Sequence, residues 1–489
     1  MNSQSWIEHL SSWKEFLLER LSATEDKGEQ VKIERQLRTI ERVRCGAVLN
    51  PTLLSRFIEP AVTQADRIDC KTFSLDLNDS QKNAVRMALA NNELTLIQGP
   101  PGTGKTQVIA EICLQLYKKN PGIRILVCSE THVAVNNLIH RIAKQNDQIR
   151  IVRVRDKEND DSIDEFSPEI LLADYFTWAS ACIQNEDARS IIMEELSDPS
   201  NMSLEKALAL SANVAGMTCN RVAAYDFRDS TEMFDVAIID EVCKATLPEI
   251  LAPLIIAKKA VLLGDPKQLP PVFCIEEREI IHQLEDCHLD RYMYIDKLFG
   301  RTGTALMLDT QYRMSNQIGE MISALFYGGR LKNGRNEDST DPLSWITYTP
   351  TQQWPTIQEE RSAHPRIINE DEAATIVELT TEILESTPEM TIGIITPYKA
   401  QAALLRTRIL QSENIKIDTV DGFQGKECDV IIFSVTRTIG PYRFLADTRR
   451  LNVALSRAKD RIIIVGYAEY AQEKQILSDI MRYCTVRKR

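Results

Sequence analysis

The sequence lacks any apolar run close to the roughly 18 residues that a membrane-spanning helix needs, so we expect no transmembrane segment. Its start, MNSQSWIEHL, has neither a basic stretch nor an apolar core, which predicts no secretion signal. The eleven cysteines include no C-x-x-C pair and the six histidines are scattered, so we expect no zinc site. This cysteine usage favours free thiols in a reducing compartment, and we expect a cytoplasmic protein, or a nuclear one in a eukaryote.

Basic residues are fewer than acidic ones, 58 Lys and Arg against 70 Asp and Glu. The net charge of −12 and the pI of about 5.3 argue against a protein that coats nucleic acid by bulk electrostatics. Local basic clusters are still compatible with a narrow groove that grips a single strand. These clusters are Arg150, Arg153 and Arg155 in QIRIVRVR, the stretch 437–461 with six arginines and one lysine, and the C-terminal RKR. For the C-terminal cluster alone we favour a solvated surface.

The length of 489 residues, with 43% hydrophobic and 26% charged residues, is typical of about three globular domains or lobes. Residues 1–72 carry apolar side chains at the three- and four-residue spacing of a helix face, with a break expected at Lys27–Gly28. This spacing predicts a helical hairpin or stalk. The side chains are Trp6, Leu10, Trp13, Leu17 and Leu21 before the break and Ile33, Leu37 and Ile40 after it.

From about residue 73, short continuous apolar runs alternate with helical segments. Such runs are typical of parallel strands buried on both faces, so we predict a doubly wound α/β architecture. The runs are LTLIQ, IRILVCS, VAIIDE, AVLLGD, IGIITP, VIIFSV and IIIVG. Polar loops follow these strands at the edge where such sheets bind ligands. Between about residues 145 and 212 the pattern lapses into acidic and helical sequence, which we interpret as an inserted helical subdomain.

The segment LTLIQGPPGTGKTQVIAEIC, residues 94–113, predicts a strand, a glycine-rich turn and a helix. Its turn satisfies G-x-x-x-x-G-K-[ST], a pattern whose backbone N–H groups cradle phosphates at the start of a helix. The eight residues are Gly99, Pro100, Pro101, Gly102, Thr103, Gly104, Lys105 and Thr106. The lysine would reach the β- and γ-phosphates, and the Thr106 hydroxyl would ligate Mg²⁺.

A second motif, FDVAIIDE, ends a predicted strand with two carboxylates. We expect Asp240 to ligate Mg²⁺ and Glu241 to polarise the attacking water. An adjacent Asp-Glu pair after a phosphate cradle favours hydrolysis of a nucleoside triphosphate over phosphate transfer by a kinase.

Further motifs follow in a fixed order and decide the class of ATPase. They are LNDSQKNAV (77–85) before the cradle and GDPKQLPP (264–271), LDTQYRM (308–314), TPYKAQ (396–401), TVDGFQGKECDVIIFS (419–434) and LNVALSRAK (451–459) after it. In this order the chain closely resembles the superfamily 1 helicases. Within them it is similar to the 5′→3′ branch of the nonsense-mediated-decay (up-frameshift) helicase, over nearly all of residues 75–470.

The resemblance implies two RecA-like domains in tandem, with ATP and Mg²⁺ bound between them. Residues 73–300, including the insertion, would form the first domain, and residues 301–489 the second. The N-terminal segment 1–72 would precede both.

The resemblance also implies which side chains act on the γ-phosphate. Arg313 in QYRM and Arg457 in LSRAK match positions that contact it, and such arginines stabilise charge in the transition state. Gln268 matches the residue that couples the γ-phosphate to the nucleic-acid side. With Lys105 and Glu241, these residues are our candidates for catalysis.

For the nucleoside, the resemblance implies that Gln81 reads the edge of adenine and that Tyr312 stacks on the base. It further implies that Gly425 and Glu427 contact the ribose.

Single-stranded DNA or RNA is the partner that the resemblance implies, held by hydroxyl and backbone groups without strong sequence preference. The positions that match the family's strand contacts are Thr131, Asn137, Thr218, Pro270, Pro271, Thr396, Tyr398 and Thr419. No nuclease signature is present, so any cleavage would need a separate protein partner.

The chain departs from the family at two places. Lys244 replaces the glutamine that is common at the fifth position of the DEA-x-Q motif, which leaves the roles of Asp240 and Glu241 intact. Residues 1–72 show no evident β-barrel of the kind that larger relatives carry, so translocation is supported more directly than processive unwinding. Two other classes stay open: a nucleic-acid-gated ATPase switch within a complex, and a remodeller of proteins, against which the motifs after residue 300 argue.

Overall fold

The computed structural model divides the chain into two compact units. The first comprises residues 1–99, 105–266 and 270–307, and the second residues 100–104, 267–269 and 308–489. The structure describes residues 3–58, 70–90, 92–156, 163–183, 185–187, 189–190, 202–225, 227, 233–271, 298–299, 305–335, 339–355, 366–410, 412–440 and 447–489. Among these, no helix is both long and apolar enough to cross a membrane.

The first unit contains a parallel sheet of seven strands in the order β3-β4-β2-β5-β6-β1-β7. The strands are β1 Leu94–Gln98, β2 Ile125–Ser129, β3 Ile151–Arg153, β4 Val214–Thr218, β5 Phe234–Ile239, β6 Ala257–Gly264 and β7 Ala305–Met307. The helices after the N-terminal segment are α4 Asp79–Leu89, α5 Lys105–Lys119, α6 His132–Ala143, α7 Pro168–Cys182, α8 Met202–Ser211, α9 Cys219–Val222 and α10 Leu247–Leu254. The first sheet thus includes residues 305–307, which the sequence placed in the second domain.

The second unit contains a parallel sheet of six strands in the order β12-β11-β13-β14-β10-β15 and a two-stranded sheet, β8-β9. The strands are β8 Thr310–Gln311, β9 Lys332–Asn333, β10 Leu343–Thr347, β11 Ile392–Thr396, β12 Ile415–Thr419, β13 Cys428–Ser434, β14 Ala458–Val465 and β15 Thr485–Lys488. The helices are α11 Asn316–Tyr327, α12 Glu370–Ser386, α13 Lys399–Arg408, α14 Thr448–Leu455, α15 Ala468–Gln472 and α16 Gln475–Met481. Two parallel-sheet α/β domains confirm the predicted architecture.

The described part of the N-terminal segment, residues 3–58 and 70–72, contains three helices, α1 Ser3–Ala23, α2 Lys27–Arg44 and α3 Pro51–Ile58. The first break lies just before Lys27 rather than at Lys27–Gly28, because the Asp26 side chain caps α2 by accepting the Glu29 N–H at 3.0 Å. Buried Trp13 and Ile40 belong to the same apolar core as strands of the first sheet. The predicted stalk is therefore also a packing element of the first unit.

The predicted insertion contains β3 as well as the helices α7 and α8, with part of it outside the described residues. Two arginines that the sequence offered as a local basic cluster, Arg153 and Arg155, are buried, and Arg155 pairs with Glu169 at 2.9 Å. These two side chains therefore lie in the interior of the first unit and do not form an exposed basic cluster. At the C-terminus, Arg487 and Arg489 are exposed and pair with acidic side chains of the second unit, in agreement with a solvated surface.

Candidate nucleotide site and nucleic-acid-binding residues

The glycine-rich turn after β1 has the backbone of a phosphate cradle. The Gly99 N–H donates to the Gly264 carbonyl at 2.9 Å, and a Cβ at Gly99 would lie 2.3 Å from Cγ of Lys105. Gly102 and Gly104 adopt φ of 72° and 76°, a region that other residues rarely enter. All three positions therefore need glycine for reasons of backbone geometry or space.

Lys105 begins α5 and lies beside the carboxylates that follow β5. Its Nζ donates to the Gly99 carbonyl at 2.9 Å and lies 3.7 Å from Oε1 of Glu241. Glu241 adopts a left-handed φ of 54°, which places this carboxylate at a sharp turn after the strand. The lysine and the catalytic carboxylate predicted from separate motifs are thus neighbours in the first unit.

Asp240 is buried at the end of β5. Its N–H donates to the Cys128 carbonyl at 2.8 Å, and its Oδ1 accepts the Glu241 N–H at 2.9 Å. Burial, reinforced by the Glu241 charge and opposed by Lys105, raises the pKa of Asp240 to about 7. Holding two carboxylates so close is unfavourable without a cation, and a divalent ion would offset that cost.

The residues at this position fit Mg²⁺, which prefers oxygen ligands and binds through one or two carboxylates together with substrate phosphates. The Asp240 carboxylate and the Thr106 hydroxyl are the oxygen donors that the motifs supply. The described ranges contain no group of three or more acidic, histidine or cysteine side chains that could hold a metal ion.

Two contacts that we did not predict brace this edge of the sheet. The Gln98 amide donates to Oδ1 of Asp265 at 3.2 Å, which links the ends of β1 and β6. A Cβ at Gly264 would lie 2.7 Å from Sγ of Cys243, so glycine lets β6 pass close to the turn that follows Glu241. Gly264 and Asp265 both belong to the motif GDPKQLPP, so the sequence did mark this segment.

Gln81, the predicted adenine reader, is buried in a capping box at the start of α4. Its Oε1 accepts the Asn78 N–H, and its own N–H donates to Oδ1 of Asn78, both at 2.9 Å. The segment before it is held by the buried Glu111, which accepts the N–H groups of Ser74 and Leu75 at 2.9 and 2.8 Å. The structure thus gives Gln81 a structural role, and its contact with adenine stays a prediction.

Within the second unit, Gln268 and Arg457 are both buried and face each other. The Arg457 Nη2 donates to Oε1 of Gln268 at 3.4 Å, and its Nε donates to the Val453 carbonyl at 2.9 Å. Asn452, five residues before the arginine, donates to the Lys267 carbonyl at 2.7 Å. A direct hydrogen bond therefore joins the predicted coupling glutamine to the predicted arginine finger.

Tyr312 and Arg313 lie against the glycine turn within the same unit. The Tyr312 N–H donates to the Gly102 carbonyl at 2.9 Å, and a Cβ at Gly102 would lie 2.7 Å from that of Arg313. The Arg313 guanidinium pairs with Glu427 at 2.8 Å and donates to the Ser456 carbonyl. Glu427, the predicted ribose contact, thus forms an ion pair with a candidate catalytic arginine, and nearby Gly425 adopts φ of 81°.

The Tyr312 ring is 46% exposed and rests on Gly334, a residue that no motif indicated. A Cβ at Gly334 would lie 2.4 Å from Cε1 of the ring. We expect Gly334→Ala to displace the ring and to raise the KM for ATP by about two- to tenfold, the value of one aromatic stacking contact. Steady-state hydrolysis measured against ATP concentration tests this.

The matched control for that variant is Gly122→Ala, because an added Cβ there meets nothing closer than 3.4 Å. An unchanged KM in folded Gly334→Ala protein would contradict an adenine contact by Tyr312.

The predicted strand-binding residues divide by exposure. Thr131 and Asn137 are exposed. Thr131 precedes α6 and caps it, since its Oγ1 accepts the Ala134 N–H at 3.3 Å, and Asn137 lies on α6. Pro270, Pro271, Tyr398 and Thr419 are half-buried.

Thr218 and Thr396 are buried and bond to protein atoms. The Thr218 hydroxyl accepts the Arg221 N–H at 3.2 Å and caps α9, and the Thr396 hydroxyl lies 3.1 Å from that of Thr436. Their strand contacts stay predictions, and both side chains have a structural role in the described residues.

Comparison with known proteins gives a consistent result over most of the chain. Two models, both described as AAA domain, match it, one over residues 76–198 and 177–276 and the other over residues 291–469. The chain is 33% identical over 455 residues to the DNA polymerase alpha-associated DNA helicase A of Saccharomyces cerevisiae. The aligned region covers 81% of this chain and 66% of that protein.

Two further relatives carry the same signal. The Regulator of nonsense transcripts 1 homolog of Drosophila melanogaster is 34% identical, over 84% of this chain and 36% of that protein. The ATP-dependent helicase upf1 of Schizosaccharomyces pombe is 33% identical, over 83% of this chain and 46% of that protein. The chain thus spans between about a third and two thirds of the length of these relatives.

Among solved structures, the Arterivirus nonstructural protein 10 helicase is 15% identical, with a TM-score of 0.42, over 82% of this chain and 63% of that one.

Proposed function

Because this chain belongs to the superfamily 1 helicases, in the branch of the nonsense-mediated-decay (up-frameshift) helicase, we propose that it is an ATP-dependent motor on single-stranded nucleic acid. Its ATPase would drive movement along the strand, in the 5′→3′ direction of that branch. The observation that carries this proposal is the convergence of Lys105, Asp240 and Glu241 on one sheet edge, together with the bonded pair of Gln268 and Arg457.

The chemistry follows from the charges at these positions. Lys105 would neutralise the β- and γ-phosphates, and Thr106 and Asp240 would hold Mg²⁺, which supplies further charge neutralisation when bound. Glu241 would orient the attacking water and accept its proton. Arg457 and Arg313 would stabilise the charge that develops on the transferred phosphoryl group.

Coupling to the strand would run through the loops at the carboxyl ends of the strands. Gln268 lies in GDPKQLPP, separated by Leu269 alone from Pro270 and Pro271, two of the predicted strand contacts. A change at the γ-phosphate that moves Gln268 would therefore move this loop. Alternating strand affinity between nucleotide states is the expected consequence, since a ligand shifts only equilibria whose states it binds differently.

The relatives bear names that refer to a DNA helicase and to nonsense transcripts, so both nucleic acids are tested in parallel. The experiment is steady-state ATP hydrolysis alone, with single-stranded DNA and with single-stranded RNA, with Glu241→Gln as the blank. We expect strong stimulation by at least one polymer. Absence of stimulation by both would contradict the proposed function.

Direction and unwinding require a second assay on the stimulating polymer. Displacement of a labelled strand from duplexes with 5′ or 3′ overhangs should occur only with the 5′ overhang. Stimulated hydrolysis without displacement from either substrate would instead indicate translocation, or a strand-gated ATPase, without processive unwinding.

A further inference from the structure

A fully buried carboxyl, that of Glu372, lies near the carboxyl ends of the strands of the second sheet. Glu372 belongs to none of the sequence motifs. Glu372, in the first turn of α12, accepts the Ser434 hydroxyl at 2.7 Å, the Thr436 N–H at 2.8 Å and the Tyr348 hydroxyl at 3.0 Å. The three donors follow or end strands β13 and β10. One side chain of α12 thus joins the carboxyl ends of two strands of this sheet.

The backbone that Glu372 holds is strained. Thr436 adopts φ of 71°, a value that a β-branched residue rarely takes and that persists only where its surroundings impose it. Its N–H donates to Glu372, its carbonyl accepts Nδ2 of Asn369 at 3.0 Å, and its hydroxyl lies 3.0 Å from that of Ser434. Every polar group of this residue is therefore engaged by the buried network.

The bend at Thr436 sets the position of the next residue, Arg437. The Arg437 Nε donates to the Tyr398 hydroxyl at 2.7 Å, and the guanidinium lies 5.5 Å from the centre of the Tyr398 ring. These two contacts fix both the tip and the face of the ring. Tyr398 is half-buried and is one of the predicted strand contacts.

The same network reaches Tyr398 from the other side. The Thr396 hydroxyl, at the end of β11, lies 3.1 Å from that of Thr436 and accepts the Tyr398 N–H at 3.4 Å. Thr436 therefore contacts the backbone support of Tyr398 as well as the residue that packs on its ring.

We propose that Glu372 is a positioning residue for strand binding: through Thr436 and Arg437 it orients Tyr398 toward the single strand while touching neither strand nor ATP. The proposal rests on the proposed function, because it needs a strand that Tyr398 contacts. Aromatic rings of this kind hold single strands by stacking on bases, so the orientation of the ring controls affinity.

The experiment measures the Kd for a fluorescently labelled single-stranded oligonucleotide, DNA or RNA as the wild type prefers, alongside strand-free ATP hydrolysis. We expect Glu372→Ala to weaken strand binding about tenfold, within the range caused by loss of one stacked aromatic. We expect KM for ATP and the strand-free rate to stay within twofold of the wild type.

Glu372→Gln should restore binding to within twofold, because the amide can accept from Ser434 and Thr436 and donate to Tyr348. Burial raises the pKa of Glu372 to about 8, against the hydrogen bonds that favour the charged form, so a neutral amide is a close mimic near neutral pH. Thr380→Val is the matched control. Thr380 is buried on the same helix, and its hydroxyl donates a hydrogen bond within that helix, to the Ile376 carbonyl at 2.7 Å.

A double-mutant cycle separates positioning from general damage. If Glu372 acts through Tyr398, Glu372→Ala should cost nothing further in a Tyr398→Ala background. Full additivity of the two losses, or wild-type strand affinity in folded Glu372→Ala, would overturn the proposal. Should Glu372→Ala not fold, Arg437→Ala replaces it, because Arg437 makes both contacts with the Tyr398 side chain, and strand affinity within twofold of the wild type would overturn the proposal equally.

Failure of this inference is distinguishable from failure of the proposed function. A wild type that neither binds a strand nor hydrolyses ATP faster in its presence contradicts both. A wild type that responds to a strand, with Glu372→Ala indistinguishable from it, contradicts the inference alone.

Discussion

Glu241→Gln should abolish ATP hydrolysis and leave ATP binding intact. We expect kcat to fall by about 10²- to 10⁴-fold, the usual contribution of a positioned general base, which corresponds to roughly 3–5 kcal/mol of activation free energy. The amide keeps the size of the side chain but cannot accept the proton of the attacking water. It also removes a negative charge beside Asp240, where that charge contributes to the raised pKa, so nucleotide affinity should be retained or increased.

The measurement is single-turnover hydrolysis together with the Kd for a fluorescent ATP analogue. Asp235→Asn is the matched control, because Asp235 lies on the same strand at its amino end, where it pairs with Lys258 at 2.7 Å. Hydrolysis in folded Glu241→Gln protein within a few-fold of the wild type would show that another group activates the water.

Arg457→Ala should reduce hydrolysis by about a thousandfold, the lower end of what an arginine finger contributes. Arg457→Lys should recover little of this loss, because lysine supplies a point charge but not the planar fork that donates to both Gln268 and the Val453 carbonyl. Strand-stimulated and strand-free rates should fall together, since the arginine acts on the phosphoryl group in both reactions.

Because Arg457 is buried, a lost rate has to be separated from a lost fold. The midpoint of thermal unfolding and the affinity for the ATP analogue provide that check. Arg461→Ala is the matched control: it removes an arginine four residues later on β14 whose ion pair with Asp341 is partly exposed. A rate within a few-fold of the wild type in folded Arg457→Ala would exclude it as the finger and leave Arg313 as the candidate.

The positions of Asp240 and Glu241 near Lys105 could be predicted from the sequence, because parallel strands end at a shared edge of the sheet. FDVAIIDE and LTLIQGPPGTGK each combine an apolar run with a polar terminus, and the order β5-β6-β1 brings both termini together. Short strands at the edges of the first sheet were harder to predict from the sequence. Strands β3 and β7 have three described residues each, too few for a pattern of their own.

Residues that act through distant partners carried no local signal. Glu111 bonds to backbone groups 36 and 37 residues earlier in the chain, and Glu372 to groups 62 and 64 residues later. An isolated Glu in a helix normally predicts a solvated side chain. The predicted exposure of Arg153 and Arg155 was wrong for the same reason. Their charges suggested a surface cluster, but both side chains are buried in the fold.

The sequence by itself determined the two α/β domains, the phosphate cradle and the family, since each depends on residues adjacent in the chain or on the order of motifs. Tertiary structure alone decided which polar side chains are buried, that Gly334 lies against the Tyr312 ring and that Glu372 holds the bend at Thr436. The physical reason is that burial and hydrogen bonding depend on neighbours brought together from distant segments, and no local pattern specifies those neighbours.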